Sequence, residues 1–140
     1  MIVLDTNVLS ELMRPSPAPA VEQWLASHLA SELYTTVLSQ VEVLFGIELM
    51  AKGRKRSELL TVAQAMFDED FADRVLPLDR EAALVLPEIM AHRRSIGQPI
   101  DLIDLQIAAI ARSRGAKVAT RNTPDFLHCG VPLINPWTGK

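Results

Sequence analysis

Three carboxylates, Asp5, Glu42 and Asp104, each sit where an apolar run or a turn gives way to an expected helix. Asp5 follows Ile2-Val3-Leu4, Glu42 lies in Ser39-Gln40-Val41-Glu42, and Asp104 lies in Asp101-Leu102-Ile103-Asp104. In an alternating strand–helix chain such junctions line one edge of a parallel sheet, where ligand crevices form. Carboxylates gathered within a few ångströms raise one another's pKa and need a cation among them. An all-oxygen donor set selects magnesium or manganese over zinc. The chain has three histidines, His28, His92 and His128, widely separated and read as surface or packing residues. The chemistry expected of such a cluster is hydrolysis by an ion-activated water.

Each acid also has a structural reading of its own. Asp5 or Thr6 can cap the first helix. Ser39-Gln40-Val41-Glu42 has the form of a capping box, with Glu42 reaching back to the Ser39 amide, and Asp101 with Asp104 repeats the spacing. Their common position at helix starts, where the helix dipole favours the ionised form, is what sets the three apart from ordinary caps. A fourth contribution is expected from Thr120-Arg121-Asn122-Thr123-Pro124-Asp125-Phe126. There Thr123-Pro124 reads as a helix cap and first turn. Asp125 is a candidate fourth acid, Asn122 offers a neutral oxygen, and Arg121 a contact to phosphate or an ion pair with a neighbouring acid. Thr6 and Asn7 are candidates for positioning water and touching substrate, with capping and turn bonding as their structural alternatives.

Strands are expected at Ile2–Leu4, Leu33–Val37, Val75–Leu78, Lys117–Thr120 and Pro132–Ile134. Helices are expected over Thr6–Met13, Ala20–His28, Ser39–Ala51, Lys55–Phe71, Arg80–Ser95 and Asp101–Gly115, with Lys52-Gly53 closing the third. The prolines of Arg14-Pro15-Ser16-Pro17-Ala18-Pro19 make that segment a loop. The alternation predicts a three-layer α/β/α domain with a central, mostly parallel sheet of about five strands. Its 140 residues fit a single domain spanning 1–140.

A hydrophobic fraction of 49% is enough to fill a core, and no apolar run approaches the roughly 18 residues that span a bilayer. One cysteine, Cys129, excludes a disulfide framework and a thiolate metal cage. With no signal-peptide pattern at the N-terminus, the cytoplasm is the expected compartment. The formal charge of −3 argues against an extended basic nucleic-acid surface. Two basic clusters temper that: Lys52, Arg54, Lys55 and Arg56, and His92, Arg93 and Arg94. They read either as phosphate-gripping flanks of an acidic centre or as solvated helix ends.

Leu4-Asp5-Thr6-Asn7, Ser39-Gln40-Val41-Glu42-Val43-Leu44-Phe45-Gly46 and Asp104 before Ile107-Ala108-Ala109 resemble the PIN-domain nucleases. Ala119-Thr120-Arg121-Asn122-Thr123-Pro124-Asp125-Phe126 and Ile134-Asn135-Pro136-Trp137 narrow the resemblance to the VapC/FitB-type toxins of bacterial toxin–antitoxin pairs. The resemblance runs the length of the chain, in order. It implies an endoribonuclease with a Mg2+ or Mn2+ cofactor, a homodimer, and a small VapB/FitA-type antitoxin as partner. It assigns Asp5, Glu42 and Asp104 as metal-site acids. Many relatives carry an acid where this chain has Asn122, so either Asp125 completes the site or the fourth ligand is lost.

Two other readings stand beside the nuclease. In one, Asp5 is the covalent nucleophile of an aspartyl-phosphate phosphotransfer domain. The haloacid-type pattern wants an acid two residues later, where Asn7 stands. In the other, every acid is a cap and the chain is a non-catalytic α/β binding module.

Overall fold

The computed structural model describes residues 1–140 and contains one five-stranded sheet. Its strands are β1 (Ile2–Leu4), β2 (Leu33–Thr36), β3 (Val75–Leu76), β4 (Lys117–Ala119) and β5 (Leu133–Ile134), in the order β3-β2-β1-β4-β5. Every pairing is parallel, with Ile2 opposite both Leu33 and Lys117, Thr35 opposite Val75, and Val118 opposite Leu133. Six α-helices connect them: α1 (Thr6–Leu12), α2 (Pro19–Ala26), α3 (Val37–Glu48), α4 (Arg54–Ala65), α5 (Arg80–Ser95) and α6 (Leu102–Ser113). No helix is long and apolar enough to cross a membrane.

The period-two alternation of β1 builds the layers. Val3, with Val118 of β4, packs into a cluster containing Ile89 of α5 and Leu105, Ile107 and Ile110 of α6. Ile2 and Leu4 join the opposite cluster, with Val8 and Leu9 of α1, Val43 and Ile47 of α3, and Met66 and Phe67 after α4. The central strand is therefore apolar throughout, because both of its faces are covered. The expected three-layer α/β/α arrangement of about five strands is what forms, with all of the strands parallel.

Three local readings of the sequence are corrected. The third helix begins at Val37, two residues before the expected start, because Thr36 is its cap: the Ser39 amide donates to Thr36 Oγ1 at 3.2 Å. Ser39 is thus inside the helix, no capping box forms, and the Glu42 side chain is released for another partner. Gly53 does not close this helix. It ends at Glu48, and Gly53 is instead the residue that precedes α4. Asn122, not Thr123, occupies the cap position of the short 3-10 turn Thr123–Phe126, and caps it with no side-chain bond.

Gly46 lies in the interior of α3, and a Cβ there would meet nothing within 4 Å. Glycine inside a helix costs roughly 0.5–1 kcal/mol relative to alanine. Neither crowding nor a left-handed backbone explains its presence at this position.

Candidate metal centre and catalytic cleft

The parallel sheet sends β1, β2 and β4 toward one edge. β1 and β4 are followed there by the polar residues Asp5 and Thr120, and β2 ends in Thr36, the cap of α3. Asp5 is the N-cap of α1, its Oδ1 accepting the Thr6 amide at 2.8 Å. Its Oδ2 accepts the Thr120 hydroxyl at 2.8 Å and the Asn7 amide nitrogen at 3.1 Å. Three hydrogen bonds leave about one of four carboxylate lone-pair directions open. Burial raises the Asp5 pKa despite these donors, and Glu42 and Asp125 push it further up.

Thr6 links α1 to α3. Its hydroxyl donates to Glu42 Oε1 at 2.6 Å and stands 3.1 Å from Ser39 Oγ. The capping role weighed for Thr6 belongs to Asp5, and the Thr6 side chain aims Glu42. Asn7 is committed on both sides: its nitrogen donates to Asp5 and Thr120, and its oxygen accepts the Arg121 amide at 3.2 Å. Asn7 is therefore a brace between β1 and the segment after β4 rather than a free substrate contact. Thr120, fully buried, is the residue at the centre of this bank; it also accepts the Asn122 amide at 3.0 Å. Sequence reasoning quoted Thr120 without giving it a role, and only its position beside an acid at a strand end signalled one.

The second bank is built differently. Asp101 caps α6, accepting the Asp104 amide at 3.1 Å, which leaves the Asp104 carboxylate half-buried in the first turn. Its pKa is raised to about 7, chiefly by burial, then by repulsion from Asp101, Asp5, Asp125 and Glu42. Asp125 is exposed in the 3-10 turn, close enough to raise both Asp5 and Asp104. The structure therefore brings Asp5, Glu42, Asp104 and Asp125 to one cleft of about 640 Å³, with Asp101 and the buried Glu11 added to its lining.

Two arginines face this crowd of acids. Arg14 pairs with Glu11 at 3.0 Å, and Arg121 lies over the Trp137 ring, 5.0 Å from its centroid. Asn122 also lines the cleft, exposed, with its amide bonded to Thr120. Of the two basic clusters, Arg56 bonds the Ile47 carbonyl and pairs with Glu48, whereas Arg54 pairs with Glu58. Arg93 is buried and bonds the carbonyls of Pro99 and Leu127, so it is part of the scaffold and not a phosphate-gripping flank.

The donor set suits a hard divalent cation: carboxylate oxygens, two of them on acids whose pKa is raised by burial and then by the like charges beside them. No three of the acids stand in a preassembled cage. The bank around Asp5 is fixed by hydrogen bonds, whereas no side-chain donor holds the carboxylates of Asp104 and Asp125.

Residues 2–128 match the PIN domain family. The chain is 37% identical over 137 residues to the VapC ribonuclease Y4jK of Sinorhizobium fredii, covering 98% of both chains. It is 35% identical to the toxin FitB of Neisseria gonorrhoeae, covering 98% of this chain and 99% of that one. The solved structure of FitAcB from Neisseria gonorrhoeae superposes with a TM-score of 0.90 at 35% identity, over 98% of this chain and 99% of that chain. With the acidic cleft at the carboxyl edge of an all-parallel sheet, these likenesses make the chain a member of the PIN-domain family, within its VapC and FitB branch.

Proposed function

We propose that this protein is a divalent-cation-dependent endoribonuclease, the toxin of a toxin–antitoxin pair, acting as a hydrolase on RNA phosphodiester bonds. The observation that carries it is the meeting of Asp5, Glu42 and Asp104, from three separate elements, in one cleft where burial raises the pKa of Asp5 and Asp104 and neighbouring acids add to the rise. Relatives that bear the names ribonuclease and toxin over nearly the whole length of this chain support the substrate class.

Asp5, Asp104 and Glu42 would hold Mg2+ or Mn2+, with Asp125 as the fourth acid in place of the missing acid at Asn122. Bound there, the ion supplies positive charge against the phosphate oxygens and lowers the pKa of water. The protein's own part is orientation. Thr120 and the Thr6 amide fix both Asp5 oxygens, and Thr6 fixes Glu42 Oε1, so that Oε2 is free to orient a water. Arg121, held by its backbone to Asn7, stands at the cleft to meet a phosphate. Attack by water instead of the 2′-hydroxyl gives 5′-phosphate and 3′-hydroxyl ends. Single-stranded or loop RNA is the substrate form that enters such an open cleft.

A VapB/FitA-type antitoxin, a homodimeric state and a cytoplasmic location complete the reading. Both Asp5 oxygens accept hydrogen bonds, which supports a fixed ligand over a covalent nucleophile and weighs against the phosphotransfer alternative. The decisive experiment is end-mapped cleavage of total cellular RNA with manganese, with chelator and with Asp5→Ala. Cleavage that survives in the Asp5→Ala protein, or in chelator, would refute the reading. Absence of any metal-dependent cutting by the parent would favour the binding module.

A further inference from the structure

Beside the acidic cleft runs a second concavity of about 340 Å³, between the end of α1, α3 and the start of α4. The two share a wall: Ser10, Arg14 and Glu42 line both. Away from that wall the chemistry changes, because Met13, Val43, Met50 and Leu59 make the second concavity apolar. Its size is at the small end of ligand pockets, about 300–1,000 Å³. Gly46 also lines it, at the helix-interior position where an added Cβ would meet nothing within 4 Å. Helix-interior glycine lowers stability, and here the only thing gained inside the chain is open space above the groove.

We propose that this groove is a base-binding subsite, seating one nucleobase next to the scissile phosphate, with Arg14 at the shared wall contacting the intervening backbone phosphate. The inference rests on the ribonuclease reading and deepens it by naming where sequence preference arises. An RNA strand laid in an acidic cleft must leave it at one end, and here the exit is a polar rim around an apolar floor. Each base has an apolar face to bury, and purines carry more of it than pyrimidines, so a groove at the small end of ligand pockets discriminates between them. Arg14 is exposed beyond its pairing with Glu11, so its guanidinium has donors left for an anion.

The test uses the full protein and short single-stranded RNAs carrying 4-thiouridine at each position around a mapped cleavage site. In chelator, ultraviolet irradiation followed by peptide mapping should place crosslinks on Met13, Met50 or Leu59, from one position flanking the cut bond. In manganese, the parent's kcat/KM should depend on base identity at that same position. Gly46→Leu, which places a side chain in the groove from a position where an added Cβ meets nothing within 4 Å, should flatten that dependence by about tenfold. Met50→Gln should flatten it too, with both melting temperatures recorded to show an intact fold. RNA that is cut normally but crosslinks only outside the groove, or a base preference unchanged in Gly46→Leu, overturns the subsite and leaves the groove to a protein partner. A parent that crosslinks in the groove yet never cuts in manganese supports the subsite and sinks the nuclease reading instead. A parent that does neither sinks both.

Discussion

The two banks of the cleft carry the same functional groups and hold them by opposite means. On the β1 side, Asp5 and Glu42 are aimed by Thr6, Asn7 and Thr120, each bond between 2.6 and 3.1 Å. On the other bank no side-chain donor reaches the carboxylates of Asp104 and Asp125, and Asp104 sits at a pKa of about 7, chiefly through burial and then through its acidic neighbours. The difference shows two ways of storing negative charge at a sheet edge. One holds it with donors supplied by the chain itself, and the other leaves it beside like charge with no donor of its own.

The largest effect should come from removing the shared centre. Asp5→Ala and Asp104→Ala should each reduce RNA cleavage to background, measured on an end-labelled substrate in manganese. Next, Thr120→Val strips the fixed bank of its principal donor and should lower kcat/KM by about 10–100-fold, the usual cost of losing a residue that orients a metal ligand. If that variant kept full activity, the hydrogen-bonded bank would not depend on its scaffold.

Thermal scans sharpen the contrast. Manganese at about a hundred times its Kd should stabilise the parent by roughly 2.7 kcal/mol and Asp104→Asn by much less. Without metal the sign reverses for the second bank. Asp104 is raised to about 7 in the folded state from an ordinary 3.8, so the folded protein binds more protons than the unfolded chain between those values. Its contribution therefore lowers stability as pH rises from about 4 through 7. Asp104→Asn should melt higher than the parent at pH 8 and show little gain at pH 4. The smallest effect is expected from Asn122→Asp, which adds an acid beside the cleft: a slightly lower melting temperature without metal and a tighter apparent affinity for manganese. Equal melting with and without the added acid would mean that position 122 lies outside the repulsive field.

The covering of both sheet faces follows from patterns that are local in the chain, whereas the strand order β3-β2-β1-β4-β5 was not legible, because it is set by contacts between distant segments. Ile2-Val3-Leu4 is apolar at every position, and helices alternate with strands throughout, so the layers were legible. The three principal acids were legible for the same reason, since helix starts after strands share an edge. Side-chain partnerships were not. Thr6 and Glu42 lie 36 residues apart, and Asp5 and Thr120 lie 115 apart, so no spacing rule exposes them. Glu42 was also masked by a sequence that imitates a capping box; the true cap, Thr36, sits at the tip of β2 where a strand residue and a helix cap look alike. Arg93 was misplaced for a related reason. Its neighbours His92 and Arg94 are exposed, and only the fold reveals that its own helix face turns inward.

That inward guanidinium has a consequence for the unbraced acids. It grips the Pro99 carbonyl, just ahead of Asp101 and Asp104, and the Leu127 carbonyl, just after Asp125. One rigid cationic fork thus sets the span between the two loops from behind, like the rivet of a pair of tongs whose jaws open toward solvent. The distance between the two acid-bearing loops is therefore governed by a residue that lines no part of the cleft.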